Sequence, residues 1–558
     1  MLENVLGAFV QVFQFKLLAL ITVGTLAGIV AGAIPGFTIT MAIVLTLPFT
    51  FGMSPVEGLS TMLGVFVGGF SGGLISGTLL GIPGTPSSVA TTFDGFPLAR
   101  RGHPGLALGV GVWSSFFGGL IGAVLLMSFA PPLALIGLWF GPWEYFALIV
   151  FALTIIASLS GESLLKGGIA GVLGLLLAMV GEDAITATSR FSFGIDDLNQ
   201  GFSILPVLIG LFAFSQLLSD VERKEGAQSA LIEAKAETIK IEHWEAIRTI
   251  FRQPLNLIRS SLIGVFIGAL PAAGGTISNV LSYDQSKKAS KHPEKYGTGI
   301  PDGVIASEAA NNGTAGGALI TMMALGIPGD IVTAIMLGAL LIHNVVPGPT
   351  FITEEPMLAY GIFMAFFVAH FVMIALQAVG LRVFLKITKI PKYVLASTIL
   401  FFCAIGVFAL NNIVFDIWVL FGFGVLGYVM KKFGFPLAPM IIGVVLGTIA
   451  ELNLNRAYMS NPDPWVFFTR PISLFFLILA AISLVFPFSQ RHGAAPWVRF
   501  FLPVGLVAVS APFWITVGWP MAGGALFVAA GLFVLWRRLR APGAALGAVT
   551  RTTIGNGE

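Results

Sequence analysis

SGGLISGTLLGIPG, from Ser71 to Gly84, and AGGALITMMALGIPG, from Ala315 to Gly329, are apolar runs that stop in the same four residues, Gly-Ile-Pro-Gly. Each is preceded by a second stretch in which glycine and proline interrupt apolar sequence. That stretch is AGAIPGFTIT (Ala31 to Thr40) in the first case and GALPAAGGTISN (Gly268 to Asn279) in the second. The chain therefore reads as two related halves. In the first half the segment after the first motif has no lysine or arginine, whereas its counterpart carries four lysines between Lys287 and Lys295. After the second motif the pattern reverses, with Arg100 and Arg101 in the first half and no Lys or Arg in the second. Basic loops stay on the cytoplasmic side of a membrane, so equivalent loops face opposite sides and the halves are inverted. Inverted repeats with glycine- and proline-broken segments at matching positions point to a secondary transporter.

Composition agrees with a membrane setting. Of 558 residues 56% are hydrophobic and only 10% charged, with 68 glycines and 48 phenylalanines; the mean hydropathy is +0.92. Soluble domains carry about 25% charged residues, so this chain could not clothe a water-facing surface of its own size. The apolar content comes in helix-length blocks without the alternation of a barrel, which predicts an all-α polytopic membrane protein in contact with the lipid bilayer. Net charge is only +3, and no nucleic-acid partner is expected. The single cysteine, Cys403, excludes disulfides within the chain and a Cys-rich metal site. MLENVLGAFVQVFQFK at the N-terminus has neither a basic n-region nor a cleavage site, so no cleaved signal peptide is expected.

Thirteen of the 57 charged residues fall between Asp220 and Arg252, a polar loop dividing the halves. The expected organisation is a first inverted repeat over 1–219, a cytoplasmic loop over 220–253, a second inverted repeat over 254–452, extra C-terminal transmembrane helices within 471–540 and a cytoplasmic tail over 541–558. After the broken motifs come apolar blocks at 104–131, 143–160, 162–181 and 203–219, matched by 357–385, 394–412, 415–430 and 435–452. Three more follow at about 471–490, 498–516 and 519–536. Segments poor in Lys and Arg, among them Glu182 to Gln200, fall outside; the C-terminus falls in the cytoplasm.

In lipid, non-helical backbone survives only where protein or a water-filled cavity covers it. GIPGTPSS (Gly81 to Ser88) and GALPAAGGT (Gly268 to Thr276) should each break a helix, freeing N–H groups that favour an anion and carbonyls that favour a cation. Hydroxyls gather there: Thr38, Thr40, Thr85, Ser87, Ser88, Thr91 and Thr92 in one half, Thr276, Ser278 and Ser282 in the other. The competing reading is tight packing through small residues; four motifs in repeat-related positions favour binding. EAANNGTAGG (Glu308 to Gly317) sets a carboxylate and two amides before an apolar block. Asn311 or Asn312 could cap a helix there, or serve a ligand. Glu308 is the candidate for ion coupling, because an ionisable residue at membrane depth is expensive and usually functional. Asp94 and Asp284 read as interfacial, capping or facing Arg100 and Lys287.

Enzyme readings fare poorly. No histidine starts an HExxH, and no Walker A sequence occurs. Tyr283-Asp284 with GIPGD ending at Asp330 approaches the YD and GxGD pattern of intramembrane aspartyl proteases, but Ile327 stands where that pattern has glycine and no Pro-Ala-Leu follows. Two broken, inverted halves fit alternating access better than a symmetric pore.

AGAIPGFTITMAIVLTLPFTFGM, LLGIPGTPSSVATTFDGFPLARRG, GALPAAGGTISNVLSYDQSKK and SEAANNGTAGGALITMMALGIPG resemble the large permease subunit of the tripartite tricarboxylate transporters, the TctA family, over about residues 1–490. The resemblance implies a multi-pass protein of the bacterial cell inner membrane that is not an enzyme. It further implies a small membrane subunit (TctB-like) and a periplasmic solute-binding protein (TctC-like) as partners. Organic carboxylates would be imported on an ion gradient, usually of sodium, with no other cofactor. Two apolar blocks after Arg491 depart from the family, as an extra hairpin or the vestige of a fused small subunit. On this reading the substrate lies between the halves and is met by Pro35, Gly36, Thr38, Thr85, Pro86, Ser87, Ser88, Gly274, Gly275, Thr276, Asn279, Asn311 and Asn312. The loop from Glu308 to Asn312 lies at its edge, Glu308 and Asn312 serving ion coupling. Sodium and protons both stay open as the coupling ion, and no basic cluster or aromatic box names the acid. The alternatives are a stand-alone carboxylate transporter and, from another class, an intramembrane hydrolase.

Overall fold

The computed structural model describes residues 2–34, 37–159, 163–183, 185–222, 240–271, 273–387 and 392–489, with short stretches at 504–505, 507–510, 528–529 and 532. Among the described residues six helices are long and apolar enough to cross a membrane: Phe15–Ala33, Pro55–Leu80, Pro104–Gly137, Pro356–Gly380, Val414–Lys432 and Leu437–Ser460. The protein is an all-α polytopic membrane protein.

The first half contains α1 (Leu2–Val12), α2 (Phe15–Ala33), α3 (Ile39–Thr50), α4 (Pro55–Leu80), α5 (Thr91–Arg100), α6 (Pro104–Gly137), α7 (Pro142–Leu159) and α8 (Leu164–Ala178). A small hairpin, β1 (Gly181–Glu182) and β2 (Ser189–Arg190), leads to α9 (Ile204–Ile209), which runs through a π-helical turn at Gly210–Phe214 into α10 (Ser215–Glu222). The second half contains α11 (His243–Phe251), α12 (Pro254–Gly268), α13 (Gly274–Ala289), α14 (Pro301–Leu325), α15 (Ile331–Ile342), α16 (Pro349–Glu354), α17 (Pro356–Ile387), α18 (Lys392–Asn411), α19 (Val414–Lys432) and α20 (Leu437–Ser460). Then come α21 (Val466–Thr469) and α22 (Pro471–Ser489). The expected blocks at 498–516 and 519–536, the loop over 223–239 and the 541–558 tail lie largely or wholly outside the described residues.

All four motifs interrupt helices. α4 ends at Gly81 (φ 70°) and α14 at Gly326 (φ 73°), left-handed positions that glycine occupies without a Cβ penalty. Pro83 and Pro328 lack the N–H that would continue the helix. Beyond the breaks, Thr85 opens a 3-10 turn at Pro86–Ser88. Asp330 caps α15, accepting from Thr333 N at 2.7 Å. α12 and α13 are separated at Ala269–Ala273, and α2 gives way to α3 through a break in which Pro35 and Gly36 lie outside the described residues.

The halves also pack alike. A Cβ at Gly28 or Gly32 on α2 would collide with the backbone at Val65 or Gly69 on α4. At Gly264 or Gly268 on α12 it would collide with Ala310 or Thr314 on α14. Facing them, Gly68 and Gly72 abut Thr25 and Ile29, while Gly313 and Gly317 abut Ser261 and Val265. Even the last glycines of the two GIPG motifs correspond: Gly84 lies against Gly32 O and Gly329 against Gly268 O. Such seams are backbone against backbone, the geometry small residues permit in membranes. Gly264→Val is therefore expected to destabilise by about 1–3 kcal/mol, the cost typical of overpacking, and to lower the yield of folded protein in a thermal-shift assay. An unchanged melting temperature would show the seam to be loose.

Two compact units emerge from the packing. One comprises Met1–Phe140 and Leu159–Leu452; the other comprises Gly141–Ser158, a segment that falls inside the expected first repeat, and the described residues from Asn453 onward. Within the second, the buried Glu144 receives Arg470 Nε and Gly141 N, and the Arg470 guanidinium sits 4.8 Å from the Trp143 ring centroid.

Three expectations need correction. Glu308 to Asn312 is not a loop and neither asparagine is an N-cap: α14 starts at Pro301, and all these residues lie inside it. The polar side chains are accommodated by bonding back along the helix, Asn312 Nδ2 to Glu308 O at 3.3 Å and Thr314 Oγ1 to Ala310 O at 2.7 Å. Asp94 is fully buried and, in place of Arg100, it meets backbone N–H groups ahead of α14 and the Tyr283 hydroxyl. Asp284 is partly exposed and pairs with Lys288 at 2.5 Å instead of Lys287, because a four-residue spacing brings side chains onto one helix face.

Candidate functional site

The first-half break and the second-half helices α13 and α14 meet in a polar cluster inside the larger unit. Thr91, on the first turn of α5, donates from Oγ1 to Glu308 Oε1 at 2.5 Å, and Ser115 of α6 donates from Oγ to Glu308 Oε2 at 2.7 Å. Glu308 has no exposed surface, and among the described residues no lysine, arginine or histidine forms an ion pair with it. A buried carboxylate is tolerated only when its lone pairs are met; here neutral hydroxyls meet them.

Asn279 of α13 bridges the same elements. Its Oδ1 accepts from Ala90 N at 2.7 Å and its Nδ2 donates to Ser307 O at 3.0 Å. Asn311 Nδ2 donates to Phe70 O on α4 at 3.1 Å. A Cβ placed on Gly275 would stand 2.7 Å from Ser87 Cβ and 3.2 Å from Asn311 Oδ1, so Ser87, Gly275 and Asn311 converge on one point. Gly275 is a packing requirement there. Buried amide oxygens usually accept a hydrogen bond; the Oδ1 atoms of Asn311 and Asn312 accept none among the described residues.

Other expected site residues are occupied within the fold. Thr85 Oγ1 lies 3.1 Å from Ser87 Oγ, and Ser88 Oγ donates to Thr85 O at 2.9 Å. Thr38 Oγ1 caps α3 by accepting from Met41 N at 3.2 Å. Gly274 opens α13, whereas Thr276 and Pro86 are exposed. Ser278 is buried instead, 2.5 Å from Thr314 Oγ1. Pro35 and Gly36 lie outside the described residues.

Beside this cluster Asp94 acts as a staple. Its Oδ1 accepts from Gly297 N (2.9 Å), Gly299 N (2.7 Å) and Ile300 N (3.0 Å), and its Oδ2 accepts from Tyr283 OH (2.8 Å). The turn entering α14 is thereby fixed to α5 and α13. Ser115 escaped the sequence reading. The signal was present in GVGVWSSFFGGL, where a serine pair interrupts an apolar run whose helix should leave polar groups only where partners exist.

Chemically the cluster offers hydroxyls, amides and one carboxyl. Unpaired oxygens in a dry setting suit a dehydrated hard cation, and neutral donors around a break suit an anionic ligand. Among the described residues no group of three His, Cys, Asp or Glu side chains could hold a metal. None of these residues lines the cavity of about 570 Å³ found between the 181–203 segment and α8, α9, α19 and α20.

A family model described as the tripartite tricarboxylate transporter TctA family matches residues 18–442. Two proteins of Agrobacterium vitis are similar. An uncharacterized 52.8 kDa protein in the TAR-I ttuC' 3'region is 34% identical over 464 residues, 83% of this chain and 91% of the relative. An uncharacterized protein in the TAR-II ttuC' 3'region is 34% identical over 223 residues, 40% of this chain and 92% of the relative. No solved structure matches.

Proposed function

Because the chain belongs to the tripartite tricarboxylate transporter TctA family, we propose that it is the membrane permease of a three-component importer, driven by an ion gradient and carrying organic di- or tricarboxylates. It works in the bacterial inner membrane with its C-terminus in the cytoplasm, beside a small membrane subunit and a periplasmic solute-binding protein. Sodium is the favoured coupling ion.

The observation that carries this reading is the Glu308 cluster, where a buried carboxyl with no cation partner among the described residues ties both halves together next to broken helices. Substrate carboxylates are met around Ser87, Ser88, Gly274, Gly275, Asn279 and Asn311. The coupling ion uses Glu308 with the oxygens of Asn311 and Asn312. The recurrence of the same glycine approaches in both halves supports two repeats working by alternating access. A hydrolase reading gains nothing from Asp284 and Asp330, since Asp284 pairs with Lys288 and Asp330 caps α15.

The test is uptake into vesicles holding the purified system. An imposed inward sodium gradient should drive accumulation without nucleotide, and a proton gradient alone should not. Accumulation that needs ATP and survives collapse of every ion gradient would remove the reading. Uptake without any binding protein would favour the stand-alone alternative.

A further inference from the structure

The hairpin after α8 is ordered well beyond what a connection needs. Asp183 Oδ1 accepts from Ile185 N and Thr186 N, each at 2.8 Å, and these amides hold its carboxyl below the usual carboxylate range. Arg190 Nη1 lies 3.2 Å from Asp183 Oδ2, and the two terminal nitrogens grip Glu451, Nη2 to Oε2 at 3.1 Å and Nη1 to Oε1. Ser189 Oγ donates to Asn199 Oδ1 at 2.7 Å.

Directly after Arg190, Phe191 and Phe193 stand at φ 53° and 51°, left-handed backbone that costs a bulky residue about 1–2 kcal/mol. Such strain persists only where surrounding structure fixes it and gathers at functional sites. Its product is presentation: Phe193 is 85% exposed and Phe191 50%. The same segment carries four carboxylates, Glu182, Asp183, Asp196 and Asp197, and its one basic group, Arg190, is already paired. The cavity of about 570 Å³ opens beneath, with Glu182, Asp196, Asn199 and Gln200 in its lining.

We propose that residues 181–183 and 185–203 form the docking surface for the water-soluble component of the tripartite system, a protein whose apolar patch is rimmed by lysine and arginine, with one basic side chain entering this cavity. The inference rests on the tripartite reading above. Rigid exposed aromatics are the residues that anchor interfaces, and a carboxylate rim selects a basic partner and speeds its encounter. The same carboxylates repel anionic lipid headgroups and an organic-anion substrate, which leaves a soluble basic surface as the occupant.

The test uses the full chain in lipid nanodiscs and the purified solute-binding protein of the same transport system, with binding measured at low and high salt. F191S/F193S should weaken binding at least tenfold, and E182Q/D196N should flatten its salt dependence, both at the wild-type melting temperature. Should the double variant melt early, Phe193→Ser alone serves, since that ring is the more exposed. Wild-type affinity in these variants overturns the proposal, and so does a loop that binds vesicles of anionic lipid and not the protein. Uptake separates the two readings. If wild-type uptake never requires the binding protein, the tripartite reading fails and docking with it. If uptake requires the binding protein but F191S/F193S needs no more of it than wild type, docking alone fails.

Discussion

Glu308→Gln is expected to lower coupled uptake at least ~100-fold, about 2.7 kcal/mol at ~1.36 kcal/mol per tenfold, while the protein still folds. Glutamine keeps the shape of the side chain and an oxygen able to accept from Thr91 or Ser115, which now donate at 2.5 and 2.7 Å. What it removes is the charge that a cation or proton must find in a site where, among the described residues, no other ion pair forms with it. Hydrogen bonds to charged groups contribute about 1.5–3 kcal/mol each, so some loss of stability accompanies the change, and Thr91→Val with Ser115→Ala measures that share separately. The decisive comparison is uptake against the melting temperature of each variant. If E308Q transports at the wild-type rate with the same ion dependence, Glu308 is a structural polar group and coupling lies elsewhere.

The largest effect on folding is expected at Asp94. Asp94→Ala strands three backbone N–H groups, those of Gly297, Gly299 and Ile300, together with the Tyr283 hydroxyl. Water can reach the exposed Gly297, but Gly299 N and Tyr283 OH are buried; at about 1–3 kcal/mol for each buried donor left without a partner, a loss of about 2–6 kcal/mol follows, enough to impair recovery of folded protein. Asp94→Asn retains an acceptor oxygen and should fall between. Asp284→Ala, at a partly exposed site, should stay within about 0.5 kcal/mol. Thermal unfolding in detergent ranks the three; equal melting temperatures for D94A and D284A would refute the staple.

Much of the fold is legible in the sequence because the bilayer leaves few options. The blocks at 104–131, 143–160, 357–385 and 415–430 are found as α6, α7, α17 and α19 with ends displaced by a few residues, and each Gly-Ile-Pro-Gly run stops a helix. Sequence reasoning fails where a polar stretch is helical for tertiary reasons. EAANN looks like a loop or a cap by composition, since asparagine competes with the helical backbone. Inside the bundle, α4, α6 and α13 supply partners for Asn311, Glu308 and Ser307. Thr276 and Ser278 show the limit of naming hydroxyls by motif alone: two positions apart on one helix, one is exposed and the other buried. The partners of Asp94 are not legible because they are backbone amides of a loop some two hundred residues away, and a backbone amide leaves no signature in composition.

The glycine seams have a mechanical consequence. Where the glycines of α2 meet α4 and those of α12 meet α14 they do so main chain to main chain, and at those points there are no rotamers to rearrange and no side-chain ridges that could slip past one another. Each pair behaves as a welded beam. Compliance is then left to the interruptions that begin where α4 ends at Gly81 and α14 at Gly326, so a large excursion of these helix pairs falls on a rotation of stiff struts about such elbows.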